Sequence, residues 1–144
     1  MDFFSNISLI IDAKTLALIL GSTITGVLIG ALPGLSSGMA IALLLPFTIY
    51  LEPSQAIAAM AALYCGGTFG GSITAILINA PGAPPAAATA FDGFPMAQKG
   101  QAGKALGMAA VSSVVGGVIS LMVLITFAPT LARIAYKFGP PEYF

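Results

Sequence analysis

Charge is what this sequence has least of. Only 7% of its 144 residues are charged, whereas a soluble domain carries about 25%. A soluble fold of this size needs much more polar surface to stay dispersed in water. A lipid bilayer removes that requirement, because it accepts apolar side chains on the outside of a protein. With 58% hydrophobic residues, the composition therefore indicates an integral membrane protein.

The sequence also lacks most of the side chains that carry enzyme chemistry. It has no histidine, which excludes a serine–histidine catalytic pair within the chain. Its one cysteine, Cys65, excludes an intrachain disulfide and, without histidine, leaves no zinc site. The central carboxylates Glu52 and Asp92 lie in different predicted loops and form no obvious pair. We therefore predict a protein that is not an enzyme and has no metal centre or organic cofactor.

The few charges are arranged in a way that leaves room for membrane crossings. The net charge is zero and no run of lysine or arginine occurs, so a nucleic-acid partner is not expected. A helix of roughly 20 apolar residues crosses the hydrocarbon core, and each charge-free stretch has room for at least one such helix. The stretches are bounded by Lys14 and Glu52, by Glu52 and Asp92, and by Lys104 and Arg133.

These stretches predict an all-α integral membrane fold with several crossings. Residues 1–14 are expected to form an interfacial segment, and residues 133–144 a truncated junction to a remainder that is missing from this chain. Between them lies a transmembrane region, residues 15–132, with a loop at 81–104. The predicted apolar segments are residues 15–32, 35–51, 54–80 and 105–132. Whether residues 35–51 cross the membrane fully or form a re-entrant limb stays open.

The orientation of these crossings in the membrane also stays open. Lys99 and Lys104 favour a cytoplasmic position for the loop at 81–104 under the positive-inside rule. Arg133 and Lys137 follow one crossing later and favour the opposite orientation.

Glycine and proline are expected to break the helices into discontinuous or re-entrant segments. Pro33 and Gly34 end the first crossing, because proline removes a backbone donor and glycine relaxes the chain. Four glycines occur among the six residues from Gly66 to Gly71. Each costs a helix about 1 kcal/mol relative to alanine, so local unwinding is expected there. A second polar break follows at residues 79–82.

Small residues also recur at helical spacing in the first and last predicted crossings. In the first crossing they fall on one face every four residues and predict the close approach of another helix. In the last crossing, either helix packing or a second wall of a cavity explains them. The two sets are Ser22, Gly26, Gly30 and Gly34, and Ser112, Ser113, Gly116 and Gly117.

The glycine-rich break is the strongest candidate for a binding site. Transporters commonly build sites from discontinuous helices, whose free carbonyls bind Na⁺ or a proton carrier and whose free N–H groups bind an anion. Here Ser72 would open the second half-helix. The alternative is that the glycines only permit tight packing. The candidate substrate- or ion-binding residues are Gly66, Gly67, Thr68, Gly70, Gly71, Ser72, Thr74, Asn79, Pro81, Gly82 and Asp92.

Two points about charge qualify this site. Asp92 precedes a glycine, so it is either a turn-forming residue or a cation ligand or gate near the site. The apolar segments contain no lysine or arginine to neutralise a carboxylate. Anion binding would therefore depend on backbone N–H groups, hydroxyl groups and a bound cation.

Five blocks of sequence resemble the large membrane permease subunit of the tripartite tricarboxylate transporter family. They are GALPGL from Gly30, LLPFT from Leu44, YCGGTFGGSITAIL from Tyr64, NAPG from Asn79 and DGFPMA from Asp92. The resemblance runs from about Gly30 to the end of the chain. It implies the N-terminal part of a multi-pass permease in a bacterial inner membrane. Such a permease works with a small membrane subunit and a periplasmic solute-binding protein to import citrate or related carboxylates, driven by a Na⁺ or H⁺ gradient.

The chain departs from the family pattern in sequence and in length. Phe69 and Phe94 stand where the family more often has tyrosine, and Gln98 stands where it has arginine, which argues against anion capture by that loop. Family permeases are much longer and resemble a duplicated architecture, so a site assembled between two halves would be incomplete here. The alternative function is a small structural or assembly membrane protein, or a non-functional truncated permease.

Overall fold

The computed structural model describes residues 12–135, with side chains described as far as residue 132. The predicted segments at 1–14 and 133–144 lie mostly outside this range. A 3₁₀ helix, Leu45–Tyr50, continues directly from the second α-helix. The described residues contain no strand, which confirms the all-α prediction. The α-helices are α1 (Ala13–Gly30), α2 (Ser37–Leu44), α3 (Pro53–Ile78), α4 (Ala86–Gln98) and α5 (Ala102–Ala135).

Three of these helices confirm the prediction of a protein that crosses the membrane several times. α1, α3 and α5 are each long and apolar enough to span a bilayer. They overlap the apolar segments at 15–32, 54–80 and 105–132. The expected breaks after the first and third segments are also present, because residues 31–36 and 79–85 are not helical.

The expected break in the middle of α3 is wrong. The helix runs without interruption from Pro53 to Ile78, through all four glycines between Gly66 and Gly71. Unwinding in lipid would leave backbone N–H and C=O groups without partners, at several kcal/mol for each group. The lower helix propensity of glycine is a smaller cost, about 1 kcal/mol per residue. Close contact with other backbones offsets it here, as described below.

The loop expected at 81–104 is also wrong in part, because α4 occupies residues 86–98. Pro84 and Pro85 precede α4 at the start of the helix, where a missing N–H group costs nothing. Alanines then dominate its first two turns. Gly93 is buried, and its position is explained by the side chain of Ile76, whose Cγ1 would lie 2.6 Å from any Cβ at residue 93.

α1 and α3 lie side by side and run in the same direction. Three contacts show this, because their residue numbers rise together along both helices. Gln55 Nε2 donates a hydrogen bond to Thr15 Oγ1 (3.3 Å). Further along, Gly66 lies against the backbone of Thr23, and Gly70 lies against the backbones of Val27 and Ala31.

The parallel arrangement of α1 and α3 indicates the direction in which residues 35–51 run. Ser37, at the start of α2, lies beside Gly67, whereas α3 begins near the level of Thr15. Between Ser37 and Pro53 the chain must therefore return along the bundle. The length of α3 from Gln55, at the level of Thr15, to Gly67 is about 18 Å. The helical residues Ser37–Tyr50 are about 24 Å long, enough for this return. The segment is thus a short limb antiparallel to its neighbours.

The interior of this bundle is built from small residues, and its surface from large ones. Seven of the nine buried hydrophobic residues are alanines, and the others are Leu63 and Ile76. Large aliphatic side chains such as Leu20 (63% exposed) and Leu28 (64% exposed) point outward. This is the reverse of a water-soluble core, and it is expected where lipid surrounds a helix bundle.

Residues from Ala110 onward belong to a second compact unit, of which the described part is the rest of α5. Pro129 lies inside this helix. None of the residues from 110 to 132 is buried, and only Ala110 and Ala128 are half-buried.

The fold predicts opposite effects for two glycine substitutions in α1. A Cβ at residue 30 would overlap the carbonyl oxygen of Gly67, whereas a Cβ at residue 21 would meet no atom within 4 Å. We expect Gly30→Ala to lower the free energy of unfolding by about 1–3 kcal/mol through overpacking. We expect Gly21→Ala to leave it unchanged or raise it by up to about 1 kcal/mol through helix propensity.

The measurement is denaturant unfolding of both variants in mixed micelles, followed by circular dichroism. Equal effects of the two substitutions would contradict the packing assigned to α1 and α3.

Candidate functional site

Two helix backbones meet directly along a line that we call the glycine seam, formed by Gly26 and Gly30 of α1 and Gly66, Gly67 and Gly70 of α3. All five residues are buried. A Cβ at any of the five would overlap or crowd atoms of a neighbouring segment, in four cases a backbone carbonyl oxygen of the other helix. The seam therefore brings the two helices closer than any residue with a side chain allows.

The segment after α3, residues 79–85, folds back along that helix, and we call it the return loop. Asn79 ends α3 in the left-handed conformation, with φ of 56°. The N–H of Ala80 then bonds the carbonyl of Thr74 (3.3 Å), and the N–H of Gly82 bonds that of Gly71 (3.4 Å). These bonds carry the loop back by about 10 Å, seven helical residues.

The return loop reaches the end of the glycine seam at Gly82. A Cβ at Gly82 would overlap the carbonyl oxygen of Gly30 and lie 3.1 Å from the Cα of Gly71. A Cβ at Gly71 would in turn lie 2.8 Å from the backbone nitrogen of Ala83. The backbones of α1, α3 and the return loop thus converge at Gly30, Gly71 and Gly82, a meeting point that we call the backbone junction.

The start of α2 lies next to this seam, and the sequence analysis did not single it out. Ser36 caps α2 by accepting a hydrogen bond from the N–H of Met39 (3.2 Å). Ser37 is 4% exposed, and its Oγ would be 2.9 Å from a Cβ at Gly67. Serine before an apolar run is a recognised helix-start signal, so the cap was visible in the sequence. Its proximity to Gly67 was not.

The first turn of α2 carries the backbone donors that were expected in α3. Within the described part of the chain, the N–H groups of Ser37 and Gly38 bond no backbone acceptor. Free N–H groups at a helix start favour an anion, because they add to the positive end of the helix dipole. In contrast, the N–H groups around Ser72 lie within the continuous α3, so the half-helix start predicted there does not exist.

The predicted hydroxyl groups of α3 are bonded within their own helix. Thr68 Oγ1 donates to the carbonyl of Tyr64 (2.9 Å), and Ser72 Oγ lies 3.5 Å from the carbonyl of Thr68. Thr74 Oγ1 donates to the carbonyl of Gly71 (3.2 Å). These bonds use the hydroxyl protons, so in this conformation the oxygens are acceptors rather than donors toward a ligand.

The structure brings together only some of the predicted site residues. The seam and the backbone junction collect a buried set with Gly82 half-buried beside it, and Thr68 and Ser72 are half-buried on α3. Asn79 and Pro81 are exposed, and Asp92 is exposed on α4, so the turn expected at Asp92–Gly93 is wrong. The described residues contain no cluster of three or more metal-ligating side chains. The buried set is Gly66, Gly67, Gly70 and Gly71, and Thr74 is also buried further along α3.

A buried polar pair near the start of α1 and α3 was also missed. Thr15 is 1% exposed and Gln55 is 7% exposed. The amide nitrogen of Gln55 bonds Thr15, whereas its Oε1 has no hydrogen-bond partner among the described residues. The pair fixes the register of the two parallel helices at one end, and the glycine seam fixes it at the other.

Comparison of the sequence with known proteins assigns the chain to a family. The model of the tripartite tricarboxylate transporter TctA family matches residues 16–144. The chain belongs to this family. The TctA family is a family of transporters.

A curated relative of this TctA-family chain comes from Agrobacterium vitis and is described as an uncharacterized 52.8 kDa protein in the TAR-I ttuC' 3' region. The two are 42% identical over 148 residues, which covers 100% of this chain and 30% of the relative. The chain thus spans less than a third of the length of the relative it matches. No solved structure matches the chain.

The geometry predicts that Asn79 acts through its backbone conformation rather than as a ligand. The left-handed conformation costs most side-chain-bearing residues roughly 1–2 kcal/mol, and glycine is the residue that adopts it most readily. We expect Asn79→Gly to keep the stability of the TctA-family protein, and Asn79→Val to lower it by about 1–2 kcal/mol. The measurement is the free energy of unfolding in mixed micelles, together with substrate uptake.

The Asn79→Gly variant distinguishes a backbone role of Asn79 from a ligand-binding role of its amide group. Loss of uptake in a stable, correctly inserted Asn79→Gly protein would show that the amide group itself contacts a ligand.

Proposed function

We propose that this chain is part of the permease subunit of a tripartite system that imports citrate or related carboxylates. The system operates in the bacterial inner membrane. It also contains a small membrane subunit and a periplasmic solute-binding protein, and a Na⁺ or H⁺ gradient drives it. The observation that carries the proposal is the family match over residues 16–144.

The charge distribution constrains how such a permease binds its substrate. No lysine or arginine occurs from residue 15 to residue 98, which covers nearly all of α1 and the whole of α2 and α3. A carboxylate that reaches the glycine seam beside the start of α2 is therefore bound by uncharged donors and a coupling cation. The free N–H groups of Ser37 and Gly38, beside the buried Ser37 hydroxyl, are the donors of the right type.

The glycine seam and the backbone junction suit a transporter for a second reason. Where two helices touch through their backbones, they can slide or separate with few changes in side-chain rotamers. Such helix pairs can therefore adopt more than one packing arrangement. The proposal therefore assigns the glycines of α3 to packing between segments that move during transport.

The length of the chain leaves a second candidate function. Because the chain spans 30% of its relative, a structural or assembly protein, or a truncated permease without activity, stays as the alternative. The mass of the native polypeptide in isolated membranes separates them. A species near 14.5 kDa would favour the alternative, and a much larger species would favour the permease.

The test of the proposal is uptake of radiolabelled citrate by vesicles that contain the complete permease and its two partner proteins. We expect uptake that ends when the ion gradient is collapsed by an ionophore and that is inhibited by excess unlabelled citrate but not by its uncharged triester. We expect Gly71→Leu to reduce uptake to background, because its side chain would displace the return loop at Ala83.

The matched control is Gly21→Leu, whose side chain enters open space on α1. It should insert and transport like the unmodified protein. Normal uptake by a correctly inserted Gly71→Leu protein would exclude the backbone junction from the transport path. Absence of uptake for every di- and tricarboxylate in the complete system would overturn the proposed function.

A further inference from the structure

A buried amide oxygen in α3 has no hydrogen-bond partner within the described part of the chain. Gln55 is 7% exposed, and its neighbour Thr15 on α1 is 1% exposed. The amide nitrogen of Gln55 donates to Thr15 Oγ1 (3.3 Å), which leaves Gln55 Oε1 unpaired. A buried acceptor that is left unpaired lowers stability, so an acceptor in this position indicates that a ligand binds there.

The amide of Gln55 is also not used to cap its own helix. Gln55 is the third residue of α3, which begins at Pro53. Glutamine at this position commonly bonds back to the N–H of the capping residue, here Glu52. The amide of Gln55 instead bonds Thr15 of the neighbouring helix. A buried polar residue that departs from the local capping rule is typical of a functional site.

Two carboxylates lie at the same end of the bundle as this polar pair. Asp12 and Glu52 are the capping residues of α1 and α3, three residues before Thr15 and Gln55. Because α1 and α3 are parallel and the Thr15–Gln55 bond sets their register, the two carboxylates lie at a similar level, about one helical turn from the pair. Both residues are exposed, and neither side chain caps its helix. Both carboxylates are therefore accessible to an ion that approaches from solvent.

The charges at this end of the bundle allow a cation to approach. The start of each helix carries about half a positive charge, which alone would repel a cation. The full negative charges of Asp12 and Glu52 offset these helix ends, and the exposed Lys14 brings the total roughly to balance. The side chains that would contact a ligand therefore decide what binds.

Those side chains present oxygen atoms, which determine the class of ligand. An amide oxygen accepts hydrogen bonds and cannot donate them, so it does not suit an anion. Oxygen ligands suit hard cations. The described residues contain no cluster of three metal-ligating side chains, which favours a monovalent over a divalent ion. No lysine or arginine occurs from residue 15 to residue 98 to occupy the amide oxygen instead.

We infer that Gln55 Oε1 and Thr15 Oγ1 bind a Na⁺ ion, which reaches them past the two carboxylates. This site is separate from the cation proposed beside the carboxylate, because Gln55 lies about 18 Å along α3 from Gly67. The ion would join α1 to α3 at the end of the bundle opposite the backbone junction. The inference goes beyond the proposed function, since Na⁺ would bind here whatever the permease transports.

The test is thermal unfolding of the complete permease in detergent, without any carboxylate substrate, in sodium chloride and in choline chloride at equal ionic strength. We expect Na⁺ to raise the unfolding midpoint, because a ligand of the folded state stabilises it. Thr15→Val and Gln55→Leu should each raise the Na⁺ concentration that gives half of this shift by about tenfold or more. Gln55→Glu keeps the oxygen ligands and should retain the response.

The matched control is Thr25→Val, which removes an exposed hydroxyl on α1 that donates to the carbonyl of Gly21. It should respond to Na⁺ like the unmodified protein. An equal midpoint in sodium and choline for the unmodified permease would overturn the inference and leave the amide oxygen to water. An unchanged Na⁺ response of Thr15→Val, which nearly keeps the shape of threonine, would also overturn it, even if Gln55→Leu does not fold. The measurement needs neither citrate nor the partner proteins, so a failure of citrate uptake would not affect it.

Discussion

The direct contact between the backbones of α1 and α3 is the constraint on which the described bundle depends. Gly30 and Gly67 have no side chains: a Cβ at Gly30 would overlap the carbonyl group of Gly67, and a Cβ at Gly67 would crowd Ser37. Since the two helices run parallel, the intervening residues have to return through the bundle, and this places Ser37 beside Gly67. The return loop then closes against the same contact through Gly82. Substitution at the seam is therefore expected to disturb several segments at once.

The contact also explains why the bundle has small residues inside and large residues outside. Lipid tails are as apolar as leucine, so burying leucine between helices offers little gain over leaving it in the membrane. Dispersion between closely packed backbones and weak Cα–H···O contacts offer more. Alanines therefore dominate the buried set, while Leu20 and Leu28 remain on the surface.

The continuous α3 changes which part of the chain can supply hydrogen-bond donors to a ligand. A continuous α3 has its N–H groups engaged in the helix, and the hydroxyls of Thr68 and Thr74 are bonded to carbonyls of the same helix. The donors without partners belong to α2, more than 25 residues earlier in the sequence. The proposed carboxylate site is therefore better placed at the start of α2, where Ser37 lies beside Gly67, than along α3 itself. The glycine motif contributes the space that lets the other segments come close.

The sequence alone was sufficient for the features that depend on composition and on local backbone chemistry. The scarcity of charge indicated a membrane protein. Pro33 and Asn79–Gly82 follow real helix ends, because Pro33 lacks a backbone donor and Asn79 adopts the left-handed conformation. Only the tertiary structure decided the role of Gly66 to Gly71 and the position of Ser37. Glycine lowers helix propensity by a similar amount in any context. Whether packing offsets this loss of helix propensity depends on which backbone lies against the glycines. No local pattern in the sequence specifies that neighbouring segment.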